Sequence, residues 1–372
     1  MILVMLSKFS VTNYRGFSKR IELDLSRPSG YDFNKTAVKD GVVKNGIIYG
    51  PNGSGKTNIG LAIFDIANHL SHKWKKPDYY LNFVSAVNYL RPVEFEYCFK
   101  FGSRCLKYSY AKTAKDGQII MVKERLEDQG GVLFNKDVEG LTIAEEFSIS
   151  SDAKQNLMDG ANTISLINFI LASAPLGKDH ILIKLRDFVE NMLFFRSLDN
   201  REFIGYREGS SNIEEYIISN KYVKDFGLFL EETSNQKYEF AEPALGEKNL
   251  YCLMNGVKVP FQLVASTGTL NLELQYFWLK EMVNASFVFI DEFDAFYHHE
   301  LSYAICRRLF VGDRQTFMTT HDTYLLTNDL LRPDCFFIIR DNKIDAICNM
   351  TEKELRFGHN LEKLYRGGTF GK

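Results

Sequence analysis

Two stretches combine residue types and spacings that could do chemistry together: "GPNGSGKT", Gly50 to Thr57, and "FVFIDEFDAFYHHE", residues 287 to 300. The first fits G-x-x-x-x-G-K-[ST]. Its glycines Gly50, Gly53 and Gly55 let backbone N–H groups turn inward around phosphate oxygens with no side chain in the way. The helix expected after it adds its positive N-terminal end. Lys56 is expected to neutralise β- and γ-phosphate charge and the Thr57 hydroxyl to bind Mg²⁺. In the second stretch, the apolar run Phe287 to Ile290 has the length and content of a strand covered on both faces, as in a parallel sheet. Such a strand delivers Asp291 and Glu292 to the carboxyl edge, where α/β ligand sites lie. With a phosphate loop in the same chain, Asp291 is expected to help hold Mg²⁺ and Glu292 to orient and deprotonate an attacking water.

These residues need elements to position them. "NGIIYG" reads as a buried strand before the phosphate loop and "TNIGLAIFDIANHL" as a helix after it. "KFSVTNYRGF" and "KRIELDLS" alternate as a strand pair, and "VEFEYCF", "CLKYSYA" and "IIMVKERL" as an antiparallel sheet. From Ala144 to Glu232 the period is helical. "LYCLMNGVKVPFQL" is a hairpin around Asn255-Gly256. After it come "FVFI", a helix from about His298 to Leu309, the strand "QTFMTT", a helix near Leu325 and a final hairpin at "RDNK". His321 ends the strand "QTFMTT" and is placed to hydrogen-bond a γ-phosphate or the attacking water. The tandem His298 and His299 point to different sides of a helix and lack a third ligand at metal spacing, so helix-start and dimer-contact roles are expected rather than zinc.

The 372 residues are 45% hydrophobic and 25% charged with a net charge of −2. That is the composition of an ordinary globular protein with no global basic field for nucleic acid. One local exception, "SHKWKK" at residues 71 to 76, reads as a solvated loop. The six cysteines include no C-x-x-C pair and read as reduced thiols. No apolar run reaches the length of a membrane span and no signal-type start is present, so a cytoplasmic location is expected.

Several ordered pieces resemble the ABC-type ATPases of the SMC/RecF/OLD group, in particular the AAA-family ATPases of abortive infection and phage defence, such as PARIS- or Septu-like ATPase subunits. "FSVTNYRGFSKRIELDLS" is similar to their N-terminal strand pair, with Asn13, Arg15 and Phe17 beside the nucleotide. "GPNGSGKTN" is similar to their phosphate loop, and the resemblance adds Asn52, Gly53, Ser54, Gly55 and Asn58 as nucleotide contacts. "ASTGTLNLELQ" looks like a degenerate signature with Ser266 and Gly268; on its own residues it reads as an N-cap before a helix. "FIDEFDAFYHHEL" resembles the magnesium strand and D-loop, with Asp294 in the latter, "FMTTHDTYLL" the switch-histidine segment, and "LEKLYRGGTFGK" the tail of the abortive-infection subgroup.

The resemblance implies an α/β fold with an antiparallel first-lobe sheet, a parallel core sheet and a helical insertion. The expected divisions are an N-terminal lobe at 1–143, the insertion at 144–232 and a C-terminal lobe at 233–372. It also implies ATP and Mg²⁺ as cofactors and hydrolysis of ATP, with Glu292 and His321 catalytic. Two copies would share composite ATP sites as a homodimer, with room for a higher oligomer. The dimer would regulate a separate nuclease-like effector in anti-phage defence, with DNA or a phage component as a further ligand. The alternatives are a RecF-like repair ATPase and an ATP-stabilised scaffold with little turnover. A Q-loop glutamine has no clear counterpart, long heptads are absent, and the segment after His321 is too short for a Toprim nuclease, so any nuclease is expected on another chain.

Overall fold

The computed structural model describes residues 3–71, 82–115, 118–159, 164–196, 203–205, 212–295 and 297–371. The chain opens with β1 (Val4–Thr12) and β2 (Ile21–Asp24), then a short ladder of β3 (Val38–Lys39) with β4 (Val42–Val43), then β5 (Asn45–Tyr49). After the phosphate loop come β6 (Val93–Phe101), β7 (Arg104–Lys115), β8 (Gln118–Asp128), β9 (Gly131–Asp137) and β10 (Gly140–Ile143). Next are β11 (Met192–Arg196), β12 (Phe203–Gly205) and the hairpin β13 (Tyr251–Met254) and β14 (Val257–Pro260). The chain ends with β15 (Phe287–Asp291), β16 (Gln315–Thr319), β17 (Phe336–Arg340) and β18 (Lys343–Ala346).

Two seven-stranded sheets result. One is antiparallel, in the order β10-β9-β8-β7-β6-β1-β2. The other, β12-β11-β15-β16-β5-β17-β18, is parallel from β11 to β17 with an antiparallel strand at each edge. The difference follows from patterning. β6 alternates, burying Val93, Phe95, Tyr97, Phe99 and Phe101 and leaving the residues between them more open, as a sheet with one core face requires. β5, β15 and β16 are buried at every position, as strands covered on both faces must be. The expected mixed α/β architecture is therefore the observed one.

Helices Lys56–Ile63 and Asp65–Leu70 pack between the sheets. On the core-sheet side Gly60 lies so near β15 and β11 that a Cβ there would meet Phe289 at 2.4 Å and Phe194 at 2.8 Å. On the other side the Tyr97 hydroxyl donates to the Ala62 carbonyl at 3.1 Å. The buried Asp65 carboxylate accepts from Lys112 Nζ at 2.7 Å and the Tyr110 hydroxyl at 2.6 Å. "TNIGLAIFDIANHL", expected as one helix, is thus broken at Phe64, because Asp65 is anchored in the antiparallel sheet while Gly60 is fitted to the parallel one. Gln315 makes a second tie, accepting from Leu6 N–H at 2.6 Å and donating to Leu6 O at 2.9 Å.

The reading of 144–232 as helical throughout is corrected. Its described residues form five α-helices, but "MLFFR" is β11, paired in parallel with β15 from Met192↔Phe287 to Arg196↔Asp291. A four-residue apolar run fits a buried strand or the tail of a helix equally well. Asn191 ends helix Ile181–Glu190, and the pairing with β15 decides the rest. The helix near Leu325 is one 3₁₀ turn, Thr323–Leu325. The hairpin at Asn255-Gly256 forms as expected, both residues having positive φ (50° and 78°).

A buried relay joins β8 to helix Leu166–Ser173. Glu124 accepts from the Leu166 N–H at 2.8 Å and the Tyr108 hydroxyl at 2.7 Å, and that hydroxyl is 2.7 Å from His69 Nε2. Burial pushes the Glu124 carboxyl up to about 7. The folded chain therefore holds a proton there that the unfolded chain releases near the ordinary carboxyl value of 4.5, so this contribution to stability is full below that pH and is lost as pH rises through 7. Glu124→Gln should flatten the pH dependence of the denaturation midpoint between the two values. Gly60→Ala should lower stability by about 1–3 kcal/mol in chemical denaturation, because two buried aromatic rings must move.

Candidate active site

The phosphate loop leaves β5 at Gly50 and closes on helix Lys56–Ile63, with Gly55 at the N-cap in a left-handed conformation (φ 101°). A Cβ at Gly55 would meet the Phe17 ring at 2.5 Å, and one at Gly50 the Ile339 carbonyl at 2.5 Å. Only glycine fits either place. Pro51, Asn52 and Gly53 are exposed, while Ser54, Thr57 and Asn58 are half-buried. Lys56 is 7% exposed, and its Nζ donates to the carbonyls of Gly50 (2.9 Å) and Pro51 (3.1 Å). The ammonium is thus held over the mouth of its own loop.

Parallel pairing carries the acids to the same edge. Ile290 is in register with Met318, and Ile48 with Thr319, so β15, β16 and β5 end together. Asp291 is 1% exposed. Its Oδ1 accepts from the Thr319 hydroxyl at 2.7 Å, and the same hydroxyl accepts from the Glu292 N–H at 2.8 Å. The Thr319 carbonyl takes the Phe293 N–H at 3.0 Å. One threonine therefore fixes the strand end and the turn after it. That turn places Glu292 at a φ of 52°, a region non-glycine residues enter at a cost of roughly 1–2 kcal/mol.

Charge shows what the edge brings together. Burial lowers the Lys56 pKa, while Asp291, Glu292 and Asp294 oppose the shift, in that order. Burial, then the Lys56 charge, lowers the His321 pKa against Asp294 and Asp291, so the imidazole is held neutral. Lys56, Asp291, Glu292, Asp294 and His321 thus share one electrostatic neighbourhood. Asp291 Oδ2 is buried and has no hydrogen-bond partner among the described residues. Such an oxygen suits a cation. Among the described residues no group of three or more His, Cys, Asp or Glu could hold a metal ion.

Other expected residues lie differently. Asn13 is buried, and its amide donates to the carbonyls of Asn88, Arg91 and Pro92 at 3.0, 2.8 and 3.3 Å. It clamps that loop. The Arg15 guanidinium lies 5.6 Å from the Tyr14 ring centroid. Phe17 of that turn lies against Gly55, and Gly16 lies beside the Asn58 side chain. Ser266 caps helix Thr267–Glu281, accepting from Thr269 N–H at 3.2 Å, and Ser266 and Thr267 are exposed with Gly268 half-buried. His298 is the N-cap of helix His299–Leu309, accepting from Leu301 N–H at 3.2 Å. His299 Nδ1 sits 2.8 Å from Asp322 Oδ1, whose hydrogen bond raises the imidazole pKa. The basic residues of 72–76 lie outside the described residues. No helix among the described residues is long and apolar enough to cross a membrane.

Residues 254–327 match the model of a family described as "AAA domain, putative AbiEii toxin, Type IV TA system". The match runs from the β13–β14 hairpin past His321; it includes the acid edge and leaves out the phosphate loop. Comparison with curated proteins finds no match. Among solved structures, one titled "Crystal structure of the SmcHead bound to the C-winged helix domain of ScpA" is similar over 92% of this chain and 97% of that chain, at 13% identity and a TM-score of 0.45.

Sequence reasoning missed Thr319 and Arg196. The first was within reach, since a strand ending Thr-Thr-His beside an acid strand offers hydroxyls to that acid. The second, whose Nε lies 3.8 Å from Asp291 Oδ2, required β11 to be seen as a neighbour of β15. Thr319→Val should cost about 1–3 kcal/mol in chemical denaturation, since Asp291 Oδ1 and the Glu292 N–H lose their shared partner.

Proposed function

We propose that the protein is an ATP-hydrolysing ATPase of the ABC type whose two copies close on ATP, and that this closure regulates a separate effector in bacterial anti-phage defence. The observation that carries the reading is the convergence of the phosphate loop, Asp291, Glu292 and His321 at one carboxyl edge. The family match over 254–327 supports the AAA-type and toxin–antitoxin association.

The chemistry follows from the residues. Backbone N–H groups of 52–57 and the end of helix Lys56–Ile63 receive the phosphates. Lys56 exchanges the carbonyls of Gly50 and Pro51 for β- and γ-phosphate oxygens. Thr57 and Asp291 would hold Mg²⁺, which when bound supplies neutralisation of phosphate charge. Glu292 takes the proton of the attacking water, and the strained turn that carries it fixes where the carboxylate can reach. His321, held neutral, hydrogen-bonds the γ-phosphate or the water. Ser266 and Gly268, at an exposed helix N-terminus, suit the phosphate of a second copy, and Asp294 suits the contact across that dimer. The helices within 144–232 are the proposed partner-recognition segment, because they lie outside the residues that meet phosphate.

Lys56→Ala should weaken ATP binding by about 10–100-fold, the loss of a charged hydrogen bond, as read by calorimetry. Glu292→Gln should bind ATP normally, lower turnover by about 10²–10⁴-fold and accumulate as an ATP-bound dimer in size-exclusion chromatography. A Glu292→Gln protein that stays monomeric with ATP bound would rule out closure between copies.

A further inference from the structure

Asp291 and Arg196 are the last residues of neighbouring parallel strands and stand in register. Arg196 Nε is 3.8 Å from Asp291 Oδ2, the oxygen that is buried without a hydrogen-bond partner among the described residues. The distance is an ion pair without a formed hydrogen bond. A close-packed bidentate bridge would be expected if the pair existed for stability alone, since buried charge is compensated only by good geometry. The Arg196 side chain is 26% exposed and, being in register with Asp291, stands at the same carboxyl edge of the sheet. A guanidinium with five donors can grip a phosphate in the same fork it offers a carboxylate.

We infer that Arg196 is a γ-phosphate-sensing residue that exchanges between the Asp291 carboxylate and the third phosphate, transferring to the phosphate when Asp291 is taken up by the metal. The inference rests on the nucleotide reading above and adds a residue to it. Arg196 would also report to the helices of the middle segment. It ends β11, which follows helix Ile181–Glu190 through the single residue Asn191. The same junction is fastened to the acid strand, because Asn191 O accepts from Ser286 N–H at 2.9 Å and Phe188 O from the Ser286 hydroxyl at 2.5 Å. Whether the third phosphate is present would therefore be felt in 181–190 as a change in where Arg196 is held.

The test is calorimetric titration of the full chain with ADP, ATP and a non-hydrolysable ATP analogue in Mg²⁺, for wild type, R196A and R196K. R196A is expected to lose about 10–100-fold in affinity for ATP and the analogue while ADP stays within about twofold, with R196K between them. Mn²⁺ alone, followed by electron paramagnetic resonance, should bind R196A more tightly than wild type, because the competing cation at Asp291 is gone. R196K, whose folding is checked by circular dichroism, keeps the comparison usable if R196A does not fold. An unchanged ATP-to-ADP ratio in folded variants, or equal losses for both nucleotides, would overturn the inference. A wild-type chain that binds neither nucleotide would instead overturn the nucleotide reading itself.

Discussion

The parallel ladders from β11 through β15, β16 and β5 to β17 hold the rest of the molecule to its purpose. In a parallel sheet every strand releases its following residues at the same edge, so register alone decides which side chains meet. Ile290↔Met318 and Thr319↔Ile48 bring the acid strand, the threonine strand and the phosphate-loop strand to a common end. A slip of one residue would turn Asp291 to the other face. The Thr319 hydroxyl, donating to Asp291 and accepting from Glu292 N–H, locks that outcome at the rim.

The antiparallel sheet serves this edge indirectly. Helix Lys56–Ile63 must present its N-terminus at a fixed height above β5. It is held by aromatic rings of the core sheet on one side and by Tyr97 on the other. The Asp65–Lys112 pair, buried at 0% and 6% side-chain exposure, belongs to the same fastening. Losing one partner would leave an uncompensated buried charge, so the relative placement of helix and sheet is strongly specified. The N-terminal turn then closes the loop from behind, with Phe17 against Gly55.

The chain completes only part of what its residue types could do. Ser266 and Gly268 stand at a helix end that is open to solvent, and the one hydrogen bond that the Ser266 side chain makes to backbone is the cap of its own helix. Both readings of that stretch, N-cap and phosphate-docking surface, are compatible with one geometry. A capping hydroxyl and the free N–H groups of a first turn coexist at every helix N-terminus.

How far each part was legible depends on the range of the interaction that decides it. "GPNGSGKT" carries its conformation in its own glycines, and the five-residue runs "NGIIY", "FVFID" and "QTFMT" declare two-sided burial by having no polar alternation, so the phosphate loop and the parallel core were readable locally. "MLFFR" was not, because four apolar residues after a helix have no local feature that separates strand from helix, and only the ladder with β15 makes them a strand. Nor were the three carbonyls that hold the Asn13 amide, some 75 residues away in sequence, because a long-range contact leaves no local mark. By itself the sequence determined which chemistry the chain carries, since residue type and local spacing set phosphate loops, acids and caps. Tertiary structure alone decided which cation stands beside Asp291 and which hydroxyl holds it, because strand order and register are long-range properties that no window of the sequence contains.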